Sequence, residues 1–280
     1  MPIFAVKQTL NASLPMDIST LFADYSLLTL IILSVLAFVA GFIDAVVGGG
    51  GLIQLPALLI TLPNAPLPTV FGTNKIAALS GTSMAAFQYA RRIRFNFKLL
   101  FTISIASFIA SYSGAKVVSI INPATLKPII LIILIAIAIY TFLKKDLGKV
   151  PKQHYSIARQ LIFGAVIGLI IGFYDGFFGP GTGSFFVLAF VLILGFEFVQ
   201  ASAYAKIVNC MTNISALIVF IRQGNYILGV AVLMAIFNIA GGILGSKMAL
   251  KRGNGFIRIF FLIVVSILIL RYGYDVINAF

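Results

Sequence analysis

Uncharged apolar runs follow one another along nearly the whole chain, among them Leu27–Ile43, Ile129–Leu143 and Phe260–Leu270. Charged residues crowd into the short stretches between them. Such runs fit bilayer-spanning helices, which need about 20 apolar residues each. Hydropathy and breaker residues predict ten segments, at 26–46, 49–62, 70–90, 97–118 and 127–144, then 160–177, 181–196, 200–222, 226–248 and 256–274. The polar stretch Lys144 to Tyr155 divides them five and five. Residues 1–143 are thus read as an N-terminal repeat, 144–159 as a cytoplasmic linker and 160–280 as a C-terminal repeat. The fold class is an all-α polytopic membrane protein.

The two halves carry the same polar signature. In the first, Gly41-Phe-Ile-Asp44 precedes a glycine cluster at Gly48–Gly51 and then Asn74-Lys75-Ile76. In the second, Gly172-Phe-Tyr-Asp175 precedes Gly179-Pro-Gly-Thr-Gly183 and then Ala205-Lys206-Ile207. Asp44 and Asp175 lie 131 positions apart, and so do Lys75 and Lys206. A charged side chain at bilayer depth costs about 3 kcal/mol or more, so its repetition at matching sites points to a working site. Duplicated halves with broken apolar segments are typical of secondary transporters.

Five crossings per half make the second half enter from the opposite face, giving an inverted repeat with glycine-broken helices. With ten crossings, one face receives Arg91, Arg92, Arg94, Lys98, Lys144, Lys145, Lys149, Lys152, Arg159, Lys247, Lys251, Arg252 and Arg258. The other receives Lys7, Lys116, Lys127, Arg222 and Arg271. The more basic face is expected to be cytoplasmic, which puts both termini outside. If the short second and seventh segments dip in and return, eight crossings remain and the split is less marked. The two versions differ in pairing. Ten crossings place Asp44 with Lys206 and Asp175 with Lys75, whereas re-entrant segments put each Asp level with the Lys of its own half.

Composition narrows the class. Hydrophobic residues make up 61% of the chain and charged residues 10%, against about a quarter charged in soluble domains. The net charge of +13 is explained by loop charge, so no nucleic-acid partner is expected. A lone cysteine, Cys210, rules out a disulfide framework and is expected to pack as a small apolar side chain. A lone histidine, His154, in a polar stretch argues against histidine-ligated metal and triad chemistry. No cofactor, metal or enzyme motif is read, and the N-terminus shows no cleavable signal pattern.

The glycine clusters interrupt apolar sequence where each glycine costs a helix about 1 kcal/mol relative to alanine. A helix resuming after such a break offers an N-terminus that suits anions, although glycines also serve close helix packing. Lys75 and Lys206 sit among small and polar neighbours, and Lys206, Asn209 and Asn213 share a helical face. These residues compose an oxyanion seat: Lys206 and Lys75 for charge, Asn209, Asn213, Asn74 and Thr73 for hydrogen bonds. Gly50, Gly181 and Thr182 add groups at the breaks. The plainer alternative is that each lysine neutralises an aspartate or snorkels to the interface. Asp44 and Asp175 are candidates for proton coupling or gating, with helix capping as their commoner use. Glu197 is expected at the interface, and Gln54 and Gln200 are expected to find local partners.

The combination resembles the TauE/SafE family of membrane anion permeases, also described as sulfite exporters. It rests on Gly41-Phe-Ile-Asp-Ala-Val-Val-Gly-Gly-Gly-Gly51 with Pro56, Gly72-Thr-Asn-Lys75, Gly172-Phe-Tyr-Asp-Gly-Phe-Phe-Gly-Pro-Gly-Thr-Gly183, and Ala205-Lys206 with Asn209 and Thr212-Asn213. The resemblance implies transport of a small sulfur-containing or organic anion, such as sulfite or sulfoacetate, across a bacterial inner membrane. Two departures are visible: the first half lacks the proline of the second cluster, and Ala78 stands where the second half has Asn209. They favour the second half for contacts. Competing readings are a cation transporter with Asp44 and Asp175 as ligands, and a structural or lipid-handling membrane protein.

Overall fold

The computed structural model describes residues 25–120 and 155–277, and no strand occurs among them. The first half supplies α1 (Leu27–Val47), α2 (Gly51–Thr61), α3 (Leu67–Ala90) and α4 (Phe97–Ile120). The second supplies α5 (Ile157–Phe177), α6 (Thr182–Leu192), α7 (Phe198–Arg222) and α8 (Leu228–Ile277). Segment 127–144, most of the linker with His154, and both termini lie outside the described residues. The expected ninth and tenth segments form α8, broken at Gly253, whose φ of 71° is left-handed.

Among the described residues, five helices are long and apolar enough to cross a bilayer: α1, α4, α5, α7 and the Leu228–Ile257 part of α8. The chain is a polytopic membrane protein, all-helical over the described residues. Helix α3 is as long as α4, but Thr73, Asn74 and Lys75 make it more polar. Helices α2 and α6 have 11 residues each and rise about 16 Å, roughly half the hydrocarbon thickness. They are shorter than the expected 49–62 and 181–196: α2 starts two residues late within its glycine cluster, and α6 ends four residues early, before the turn at Gly195.

Contacts fix the running directions. Helix α8 follows α3, with Ile227 NH donating to Thr73 Oγ1 at 2.9 Å, Gly242 against Gly81, and Gln88 Nε2 donating to Ile243 O. It also follows α1, with Gly41 against Asn238 and Gly245 against Ala45. Thus α1, α3 and α8 run the same way. Helix α5 follows α4, with Gly164 on Ile103, Gly172 on Ser107 and Gly176 on Ser111. Helix α7 follows α4 as well, from Asn96 NH on Tyr204 Oη at 2.7 Å to Ser111 Oγ on Thr212 O at 2.8 Å. These three run opposite to α8, to which α7 is joined by a tight turn.

The most extensive helix contacts are α4 with α5 and α1 with α8, so each half places its fourth helix against the first helix of the other. Among the described residues, Arg91, Arg92, Arg94, Lys98, Arg159, Lys247, Lys251 and Arg252 gather at one end of this bundle. Lys116 and Arg222 lie at the opposite end.

Two apolar clusters stack along the bundle. Toward the basic end, Val46, Tyr89, Leu99, Phe186, Phe190 and Tyr204 pack together, with α6 at the centre. Toward the other end, Leu33, Leu55, Leu58, Phe71, Phe220 and Met234 pack around α2. A polar layer separates them.

Candidate functional site

That layer encloses a cavity of about 30 Å³. Each half contributes the tip of a half-helix. Gly49, Gly50 and Gly51 from the start of α2, and Gly181, Thr182 and Gly183 from the start of α6, form its wall. The first amides of a helix have no intrahelical acceptor, so both positive helix ends are turned toward one small space. The tips touch each other. Gly48 has φ of 81°, and a Cβ there would run into the backbone of Gly183 and Ser184. Ser184 Oγ donates to Val47 O at 3.2 Å across this junction.

Two ion pairs lie beside it. Lys75 Nζ is 2.6 Å from Asp175 Oδ2, and Lys206 Nζ is 3.2 Å from Asp44 Oδ2, which also accepts from Thr82 Oγ1 at 2.9 Å. Each pair joins one half to the other, the pairing expected of ten crossings. Every charge is therefore matched inside the protein, as buried charges require. The amines reach neither headgroups nor bulk water.

The predicted residues do not contribute equally. Lys75, Asp44, Asp175, Asn74, Asn209, Asn213, Gly50, Gly181 and Thr182 line the cavity. Lys206 does not; its side chain is 0% exposed and is screened by Asp44, to which it bonds. The ammonium on the wall is that of Lys75, so the second half is not the richer source of charge. Thr73 is also off the wall. Its hydroxyl donates to Thr69 O at 2.7 Å and accepts from Ile227 NH, so it serves the entry to α8. Thr182 lines the cavity, but its hydroxyl proton is spent on Gly179 O at 2.6 Å. Asn213 Nδ2 leans on Asn209 Oδ1 at 3.4 Å, keeping the two amides together.

The model of the sulfite exporter TauE/SafE family matches residues 33–272, which takes in both half-helix tips and both ion pairs. The chain belongs to the TauE/SafE family. It is 40% identical over 249 residues to "Probable membrane transporter protein ORF9" of Sinorhizobium sp, covering 89% of this chain and 94% of that protein. It is 36% identical over 253 residues to a "Probable membrane transporter protein" of Haemophilus influenzae, with 90% and 97% covered. With "Probable membrane transporter protein YfcA" of Escherichia coli (strain K12), identity is 35% over 244 residues, with 87% and 89% covered. No solved structure matches.

In this TauE/SafE protein the structure adds wall residues that the sequence reading passed over. Gln54 does not find a local partner: its Oε1 accepts from Asn238 Nδ2 of α8 at 2.9 Å, 184 residues away. Both line the cavity, as does Thr82. Asn238 offered one signal, an amide in the otherwise apolar run Val230–Leu244. Glu197 behaves as expected of a helix-end residue, accepting from Asn254 Nδ2 at 3.0 Å beside the start of α7. Cys210 meets Ser83 Oγ at 3.6 Å and is otherwise packed among neighbours.

Proposed function

We propose that this protein is a secondary transporter moving a small oxyanion, such as sulfite or a short sulfonate, across a bacterial inner membrane. The observation that carries the proposal is the convergence of two helix N-termini and the Lys75 ammonium on one small cavity. A small anion is the ligand that such a donor set suits. The relatives' names add weight, since each is called a probable membrane transporter. The bilayer is the other partner.

The architecture we infer is a five-plus-five inverted repeat. Support comes from helix directions, because α1 and α5, α3 and α7, and α4 and α8 are equivalent by sequence yet run oppositely. Helices α4 and α5 run the same way, which requires an odd number of passages between them, and segment 127–144 is the candidate. The basic end then faces the cytoplasm and both termini lie outside.

An arriving anion competes with Asp175 for Lys75. The carboxylate freed from that pair is the proposed proton-coupling group, which would move anion and proton in the same direction. Access alternates by withdrawal of α6 from the basic side and of α2 from the other. The cation-transporter alternative is less favoured, because both wall carboxylates are already bonded to lysines. No group of three metal-ligating side chains occurs among the described residues.

Exchange of radiolabelled sulfite in proteoliposomes tests the proposal. Lys75→Ala is expected to reduce it at least 100-fold, with Lys206→Ala also impaired, while both fold. Other oxyanions should compete and divalent metals should not. Wild-type exchange in the Lys75→Ala protein sinks the assignment. Impermeant maleimide on vesicles of known sidedness should reach Arg94→Cys from the cytoplasmic side and Asn64→Cys from the other, and the reverse pattern overturns the orientation.

A further inference from the structure

Gln54 stands one turn into α2, where the cavity wall leaves the glycine tip. It is 1% exposed, and its Nε2 has no hydrogen-bond partner among the described residues. A buried amide donor left unpaired costs about 1–3 kcal/mol, so such a group calls for an explanation.

Its orientation is not free. Asn238 Nδ2 donates to the backbone carbonyl of Ala37 at 3.2 Å, which fixes which end of the Asn238 amide points that way. The same Nδ2 donates to Gln54 Oε1, so the oxygen of Gln54 must face Asn238. The NH₂ group is then the end left without a partner, on a side chain that lines the cavity. Asn238 itself is clamped, with Gly41 of α1 and Gly81 of α3 both closed against it. The relay from Ala37 through Asn238 to Gln54 thus holds one donor in place.

The second half has no counterpart. Counting the same 131 positions onward, Gln54 corresponds to Phe185 and Asn238 to Ser107. The second half lines the same space with Asn209, Asn213 and the tip of α6, but with no equivalent of the Asn238–Gln54 relay. Lys75 supplies charge, and Gln54 supplies a directed N–H on the wall of the same small space. A monatomic anion satisfies the ammonium alone. An anion with two or more oxygens on one centre meets both groups at once.

We infer that Gln54, aimed by the positioning residue Asn238, is the specificity-determining donor that makes the cavity prefer polyoxygen anions to monatomic ones. The inference rests on the oxyanion reading above and adds the residue that discriminates.

The test uses the purified full-length protein in detergent, titrated with methanesulfonate and with bromide at constant ionic strength and followed by thermal shift. Gln54→Met keeps side-chain length and removes the donor. It should weaken methanesulfonate at least tenfold and leave bromide within twofold. Asn238→Leu keeps the approximate size of the side chain, adds no charge and removes the donated N–H. The Gln54 amide then loses its anchor and is free to turn, and the same selective loss of methanesulfonate follows. Should Gln54→Met fail to fold, Asn238→Leu carries the test alone. Wild-type methanesulfonate affinity in a folded variant, or an equal loss for both anions, overturns the inference while leaving the oxyanion reading standing. Absence of methanesulfonate and sulfite binding by the wild-type protein removes both.

Discussion

At the scale of single residues, the cavity is governed by what each charge already holds. A buried pair contributes little net stability when intact, but removal of one partner costs about 3–5 kcal/mol because the other charge is stranded. Asp175→Asn should therefore lower the thermal midpoint of the empty protein. It should also tighten sulfite binding, because the anion then meets no competing carboxylate at Lys75. Sulfite exchange by this variant should no longer respond to an imposed proton gradient. An unchanged gradient response would remove Asp175 from the coupling role. The lysines and aspartates were legible because a repeated charge in apolar sequence has few explanations. That Lys206 would stand off the wall was not legible. Which residues of a helix turn reach the cavity depends on helix rotation, set in α7 by packing against α3, α4 and α6. Gln54 was expected to find a local partner for a related reason, since a partner 184 positions away leaves no local trace.

At the scale of elements, the two half-helices are the working parts. Their existence and position could be read from the glycine clusters, while the length of α6 could not, since apolar sequence continues past its end to Phe196. The junction of their tips gives a sharp expectation. Gly48→Ala combines a left-handed φ with a Cβ driven into the Gly183 and Ser184 backbone. Gly224 has a similar φ of 70° but open space around the added atom. Gly224→Ala should cost about 1–2 kcal/mol, the ordinary penalty of that conformation. Gly48→Ala should cost clearly more and abolish sulfite exchange. Comparison of thermal midpoints and folded yields decides, and equal effects would show that the tips do not rely on close approach.

For the whole molecule, the count of five segments on each side predicted opposed halves; four helices of each half are described, and their directions support that proposal without supplying the fifth. What the sequence could not convey is how the halves are joined. The fourth helix of each lies along the first helix of the other, through Gly172 on Ser107 and Gly41 on Asn238. Small residues bring these backbones together without intervening side chains. Such seams are interlocked, so the two repeats cannot rock past each other as separate lobes. On the proposed transport function, the outer helices would act as a fixed cage and α2 and α6 would do the shuttling within it. A bolt across one seam should then be harmless. In a Cys210→Ser background, Phe42→Cys with Phe260→Cys replaces two rings in edge contact across the α1–α8 seam, 5.8 Å between centroids, and a short bis-maleimide bridges the pair. Linked protein should exchange sulfite as fast as unlinked protein, and arrest on linking would mean that the cage itself moves.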